Sequence, residues 1–200
     1  MLTVPSQRTL IQSLRGTHPG LLRQMSFAMG GSLALWLSAK AQIPFYPVPL
    51  TMQTLVVLTI GVVSGWRLGA ATVALYLVEG ALGLPVFAGT PEKGIGLAYM
   101  LGPTGGYLVG YLLAAAACGW LAERGWDRSI AKTTLAMIAG NGIIYVFGLL
   151  WLGTLLGWDK PILAWGLTPF LPGDLLKIAL GAILFPTTWQ LLRPRNTDRR

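Results

Sequence analysis

Six stretches of this chain are apolar almost without interruption, at about 26–42, 48–65, 67–89, 97–121, 131–156 and 169–192. Each is near the roughly 20 residues that a helix needs to cross the hydrocarbon of a bilayer. Polar or helix-breaking residues separate them: Pro44, Pro47 and Pro49, then Gly65 and Arg67, then the segment from Pro91 to Gly94. The charged stretch from Glu123 to Lys132 follows, and finally Asp159, Lys160 and Pro161. The pattern predicts an all-α integral membrane protein with six transmembrane helices over 26–192. An N-terminal segment, 1–25, and a basic tail, 193–200, flank it.

Composition agrees. Hydrophobic residues make up 54% of the chain and charged residues 11%, against about 25% charged in a soluble domain. So much apolar material in so short a chain needs lipid as its solvent. The net charge of +8 would raise nucleic acid as a partner in a soluble protein. Here the charges fall in connections and tails, so they read as membrane topology and no nucleic acid is expected. With the N-terminus inside, the inner segments hold Arg8, Arg15, Arg23, Arg67, Arg124, Arg128, Lys132, Arg193, Arg195, Arg199 and Arg200. The outer segments hold only Lys40, Lys93 and Lys160. This bias puts both termini in the cytoplasm. Residues 1–24 lack the compact apolar run of a cleaved signal, so the first span is the expected insertion signal.

Catalytic and metal chemistry find little support. A single cysteine, Cys118, and a single histidine, His18, leave no cysteine cluster, zinc pattern or Ser-His-Asp set. No G-x-x-x-x-G-K-[ST] phosphate loop is present, so this chain is not an ATPase of that type. No cofactor is expected.

The topology brings four segments to the outer face: Pro47–Thr54, Gly83–Phe87, Gly102–Tyr107 and Pro172–Lys177. Asp174 and Lys177 are three residues apart and share a helix face. A charge at the centre of a span costs about 2.5–3.5 kcal/mol on insertion scales. One reading is local: Asp174 favours the positive helix N-terminus opened by Pro172, and Lys177 snorkels outward. The other is a polar clamp for a neutral ligand with donors and an acceptor. Glu79, read as near the middle of the third span, either lines the same pocket or is protonated and bonds a neighbouring helix. Asn141, between Gly140 and Gly142, fits a bond across a tight helix contact better than a ligand contact. Tyr107, with its glycine-rich approach, is the aromatic most suited to a ligand. Gly30, Ala34 and Ser38 recur every four residues, a small-residue face for another helix, internal or from another subunit.

At these segments the chain resembles the BioY family, the biotin-specific capture subunits (S-components) of energy-coupling-factor (ECF) transporters. The resemblance runs from about Ala34 to about Leu192. It rests on Pro-Val-Pro-Leu-Thr-Met-Gln-Thr at 47–54, Tyr-Leu-Val-Glu-Gly-Ala-Leu-Gly-Leu-Pro-Val-Phe at 76–87, Gly-Pro-Thr-Gly-Gly-Tyr at 102–107 and Phe-Leu-Pro-Gly-Asp-Leu-Leu-Lys at 170–177. It implies an S-component bundle in the plasma membrane with biotin bound near the outer face. Asp174 and Lys177 match the family's ligand-contacting pair, and Phe87, Tyr107 and Tyr145 are the implied apolar wall. Some relatives carry an Asn between the third and fourth spans that contacts the ligand. This loop, Ala88–Gly94, has none, so Thr90 or a backbone group is the expected substitute. The resemblance also implies a transmembrane coupling subunit and two cytoplasmic ATP-binding subunits, docking on the face of Gly30, Ala34 and Ser38. The alternative is a polytopic membrane enzyme, such as a lipid-modifying transferase using Glu79 or Asp174 as a base.

Overall fold

The computed structural model describes residues 9–15 and 20–192. Its helices, in chain order, are α1 (Leu10–Arg15), α2 (Leu21–Lys40), α3 (Gln53–Ser64), α4 (Trp66–Ala81), α5 (Gly96–Met100), α6 (Gly105–Ala122), α7 (Ile130–Leu156), α8 (Ile162–Gly166) and α9 (Leu171–Leu192). A short antiparallel ribbon between α2 and α3, β1 (Gln42–Ile43) and β2 (Leu50–Thr51), pairs Gln42 with Thr51 and Ile43 with Leu50. Arg8, His18, Arg193, Arg195, Arg199 and Arg200, and with them the expected tail 193–200, lie outside the described residues.

Each apolar run holds one of the longer helices α2, α3, α4, α6, α7 and α9. Three of these, α6, α7 and α9, are long and apolar enough to cross a membrane, and α3 is a shorter apolar helix. The run boundaries need correction in four places. The first helix starts at Leu21, ahead of 26, and the second starts only at Gln53, because Pro47 and Pro49 hold the preceding segment extended into the ribbon. The third stops at Ala81 rather than 89, because Gly83 adopts φ +95° and Pro85 follows it. The run from 97 is split into α5 and α6 by the turn around Gly102 and Pro103.

Packing centres on α6, which meets α3, α4 and α7. Small residues let the backbones approach: a Cβ on Gly110 would lie 2.7 Å from Ile144 Cα, so nothing larger than glycine fits that crossing. Ala114, Ala115 and Cys118 are fully buried on the same helix, and Cys118 Sγ donates to Ala136 O at 3.3 Å. By contrast, Leu175, Leu176, Leu180, Ile183 and Leu184 of α9 stand exposed. A continuous apolar face of that extent is unlike a soluble surface and suits lipid.

Candidate functional site

The four segments expected to converge do meet, around a partly open chamber at the end of the bundle where α3, α6 and α9 begin. It holds about 520 Å³ of space free of protein atoms, part of it open to the surroundings. Val48, Pro49, Thr51, Gln53 and Thr54 come from the first segment, Phe87 from the second, Thr104 and Tyr107 from the third and Lys177 from the fourth. Ala88, Tyr99, Leu108, Tyr111, Ile144, Tyr145 and Phe170 complete the lining.

Lys177 reaches the chamber from the second turn of α9. Its Nζ donates to Asp174 Oδ1 at 3.0 Å, to Thr54 Oγ1 at 2.8 Å and to the Thr51 carbonyl at 2.9 Å. Asp174, one turn earlier, is buried behind it. Besides the ammonium, the Asp174 carboxylate accepts from Thr54 Oγ1 at 3.2 Å and from the Tyr145 hydroxyl. A charged pair taken out of water persists only when each charge is paired and its remaining sites are bonded. That condition is met here by side chains from α3, α7 and α9. Tyr145, expected only as apolar wall, therefore also belongs to the polar network through its hydroxyl.

The rest of the wall is aromatic. Tyr107 donates to Gly166 O at 2.8 Å, and its ring lies 6.4 Å from that of Phe170. Phe87 is stacked on Tyr99 at 4.9 Å and meets Tyr76 edge-on at 5.5 Å. A buried chain of bonds fixes the segment carrying Phe87. Gln53 Nε2 donates to Tyr76 Oη at 2.8 Å, and Tyr76 donates to Val86 O at 3.0 Å. From α2, Lys40 Nζ donates to Phe87 O, Thr90 O and Thr90 Oγ1, each at 3.1 Å.

Other expected residues stand elsewhere. Thr90 is buried but does not line the chamber; its hydroxyl donates to Phe87 O at 2.6 Å. Glu79 is not near mid-span and not in the chamber. Because α4 ends at Ala81, Glu79 sits in its last turn, where it accepts from Ser32 Oγ and borders a separate groove. Asn141 is buried outside the chamber, one turn before Tyr145, and its Oδ1 has no hydrogen-bond partner among the described residues. Its neighbour Gly140 is pressed on Leu58 and Cys118, while Gly142 faces open space. Gly30 and Ala34 line an open groove between α2 and α3; Ser38 does not, and its hydroxyl donates to Leu35 O at 2.8 Å.

Among the lining residues that sequence reading left unassigned are Thr51, Gln53, Thr54, Tyr99, Tyr111, Ile144 and Phe170, with Tyr76 bonded behind them. The first three lie in a quoted motif, and that clustering of polar residues at a helix start was the available signal.

The model of the BioY family matches residues 8–194. A protein named biotin transporter BioY from Rhizobium etli is 38% identical over 161 residues, covering 76% of this chain and 83% of that protein. One of the same name from Thermotoga maritima is 39% identical over 163 residues, covering 82% and 94%. A crystal structure of the S-component for biotin from an ECF-type ABC transporter superposes with a TM-score of 0.72 at 22% identity, over 87% of this chain and 95% of that one. The fold is thus that of an S-component.

Proposed function

The chain belongs to the BioY family, and from that membership we propose that it is a membrane subunit that captures biotin for uptake. The observation that carries the reading is the Asp174–Lys177 pair at the edge of an aromatic chamber. Biotin's ureido group offers two N–H donors and one carbonyl acceptor. The carboxylate takes the donors and the ammonium serves the carbonyl, in exchange for the contacts Lys177 makes with Thr51 and Thr54. A ligand carrying only apolar groups would gain nothing from this pair, and one carrying only acceptors would meet the ammonium but not the carboxylate. Phe87, Tyr107 and Tyr145 flank the thiophane ring and valeryl chain.

The six longer helices support six spans between Leu21 and Leu192, and the positive-charge bias supports both termini in the cytoplasm and a chamber facing outward across the plasma membrane. A separate coupling subunit and two ATP-binding subunits energise transport, with the Gly30 and Ala34 groove as the docking face. The relatives carry transporter names, which leaves the transferase alternative without support.

Titration of the purified chain with biotin and with desthiobiotin, without ATP, tests this. Both keep the ureido group, so both bind saturably, and Asp174→Asn weakens each by roughly 100-fold, the effect of losing charge-assisted bonds in a buried site. An unchanged affinity in Asp174→Asn and in Lys177→Ala would remove the proposed site while leaving the family intact. Absence of saturable biotin binding by the parent chain would remove the function.

A further inference from the structure

Glu79 is a carboxylate that the chamber does not use. Ser32 Oγ of α2 donates to its Oε2, and Ser32 is 2% exposed, so this contact is built into the α2–α4 interface. No described residue donates to Oε1, and no lysine or arginine among the described residues forms an ion pair with Glu79. Lys40, about two turns along α2 from Ser32, directs its ammonium to Phe87 and Thr90 instead. The helix gives no help: Glu79 lies in the last turn of α4, where the backbone dipole is negative.

The groove it borders is apolar. Met29, Leu33 and Trp36 of α2 form one wall, and Leu84, Pro85 and Val86 form the other. About 770 Å³ there is free of protein atoms and open to the surroundings of the bundle, and Met29, Leu33 and Leu84 are each at least half exposed. An ionised carboxylate on an apolar wall facing lipid is costly without a counter-charge, and its own chain provides none among the described residues.

We propose that this groove binds one aminophospholipid, with the primary ammonium of the headgroup on Glu79 Oε1 and an acyl chain along Met29 and Leu33. The chemistry selects the headgroup. A primary ammonium has both the charge and the N–H donors that a carboxylate accepts. A choline headgroup has the charge without the donors, and a glycerol headgroup has no cation. Glu79 is within one turn of the end of α4, and Trp36, one turn from Ser32 toward Lys40, borders the groove on the headgroup side. The proposal stands apart from biotin capture and does not depend on it.

Native mass spectrometry of the full chain tests it, using phosphatidylethanolamine, phosphatidylcholine and phosphatidylglycerol with matched acyl chains. One phosphatidylethanolamine is retained per chain, preferred about ten-fold over the other two, and Glu79→Gln abolishes the preference. A series of headgroups with zero to three N-methyl groups repeats the test on the parent chain without any substitution, and retention falls with each methyl. Equal retention of the three lipids by the parent chain overturns the proposal, as does a preference unchanged in folded Glu79→Gln. Equal retention is also the outcome if a partner protein's cation fills the groove.

Discussion

Helix α9 meets a buried carboxylate near each of its ends, and the two are held in different ways. Near the start, Asp174 is bonded to the ammonium of Lys177 and to the hydroxyls of Thr54 and Tyr145, beside a chamber. Near the other end, Trp189 Nε1 donates to Oδ2 of Asp127, in the short turn Trp126–Arg128 between α6 and α7. Asp127 Oδ1 has no hydrogen-bond partner among the described residues. Burial pushes the Asp127 carboxyl above the usual 3.8, while the Trp189 bond and the Arg128 charge pull it down. The difference separates two uses of a buried acid. A neutral donor suffices to lock an interface whose acid drifts toward its neutral form. A full counter-charge and two hydroxyls are needed where a charged pair must stand ready beside open space.

Removing that counter-charge gives the largest expected effect. Lys177→Met leaves Asp174 buried without its cation, which costs about 3–5 kcal/mol of stability, and biotin affinity falls by 100-fold or more on the order expected for lost charged bonds. Thermal unfolding and ligand titration in detergent read the two separately. The double variant with Asp174→Asn recovers much of the stability and none of the binding. Full affinity in the single variant would erase the contrast between the ends of α9.

A middle-sized effect is expected at Tyr76, which does not line the chamber itself but holds Gln53 and Phe87, which do. Tyr76→Phe leaves Gln53 Nε2 and Val86 O without their shared partner, about 1–3 kcal/mol of stability. Because Val86 leads directly to Phe87, biotin dissociates roughly 3- to 10-fold faster. Stopped-flow displacement measures this, and an unaltered rate would mean that the hydroxyl does not hold the wall.

The smallest effect is at Asp127. A folded-state value raised above the unfolded one contributes stability that is complete below 3.8 and lost as pH rises through the folded value. Asp127→Asn is insensitive to that loss. The variant therefore gains on its parent as pH rises from 3.8 through the folded value, read as unfolding temperature, with biotin affinity within about two-fold. A gap that stays constant with pH would contradict the neutral-lock description.

Much of this was legible before any coordinates. Six apolar runs and their breaks gave the helix order, and Asp174 and Lys177 stood out because charge is rare in such runs. The misplacement of Glu79 has a single cause. Residues 82–89 are as apolar as a helix but contain Gly83 at positive φ and Pro85, so hydropathy alone ran the span too far. The hydroxyl of Tyr145 was read as wall because spacing says nothing about where a polar tip points. The Gln53–Tyr76–Val86 link joins residues on three separate segments, and no local pattern encodes it. Thr90 was chosen as a ligand contact for its place in the loop, yet that place puts it within reach of Lys40.

The unequal lengths of the helices bear on the surrounding membrane. On the six-span reading, α4 has 16 residues and α7 has 27, or about 24 Å against about 40 Å of axial rise. A hydrocarbon slab of about 30 Å is too thick for one and too thin for the other. Lipid must compress beside α4, while α7 leans or protrudes. On that same reading the bilayer is distorted unevenly around the chain, and tilting the bundle toward the α4 side would relieve part of the mismatch.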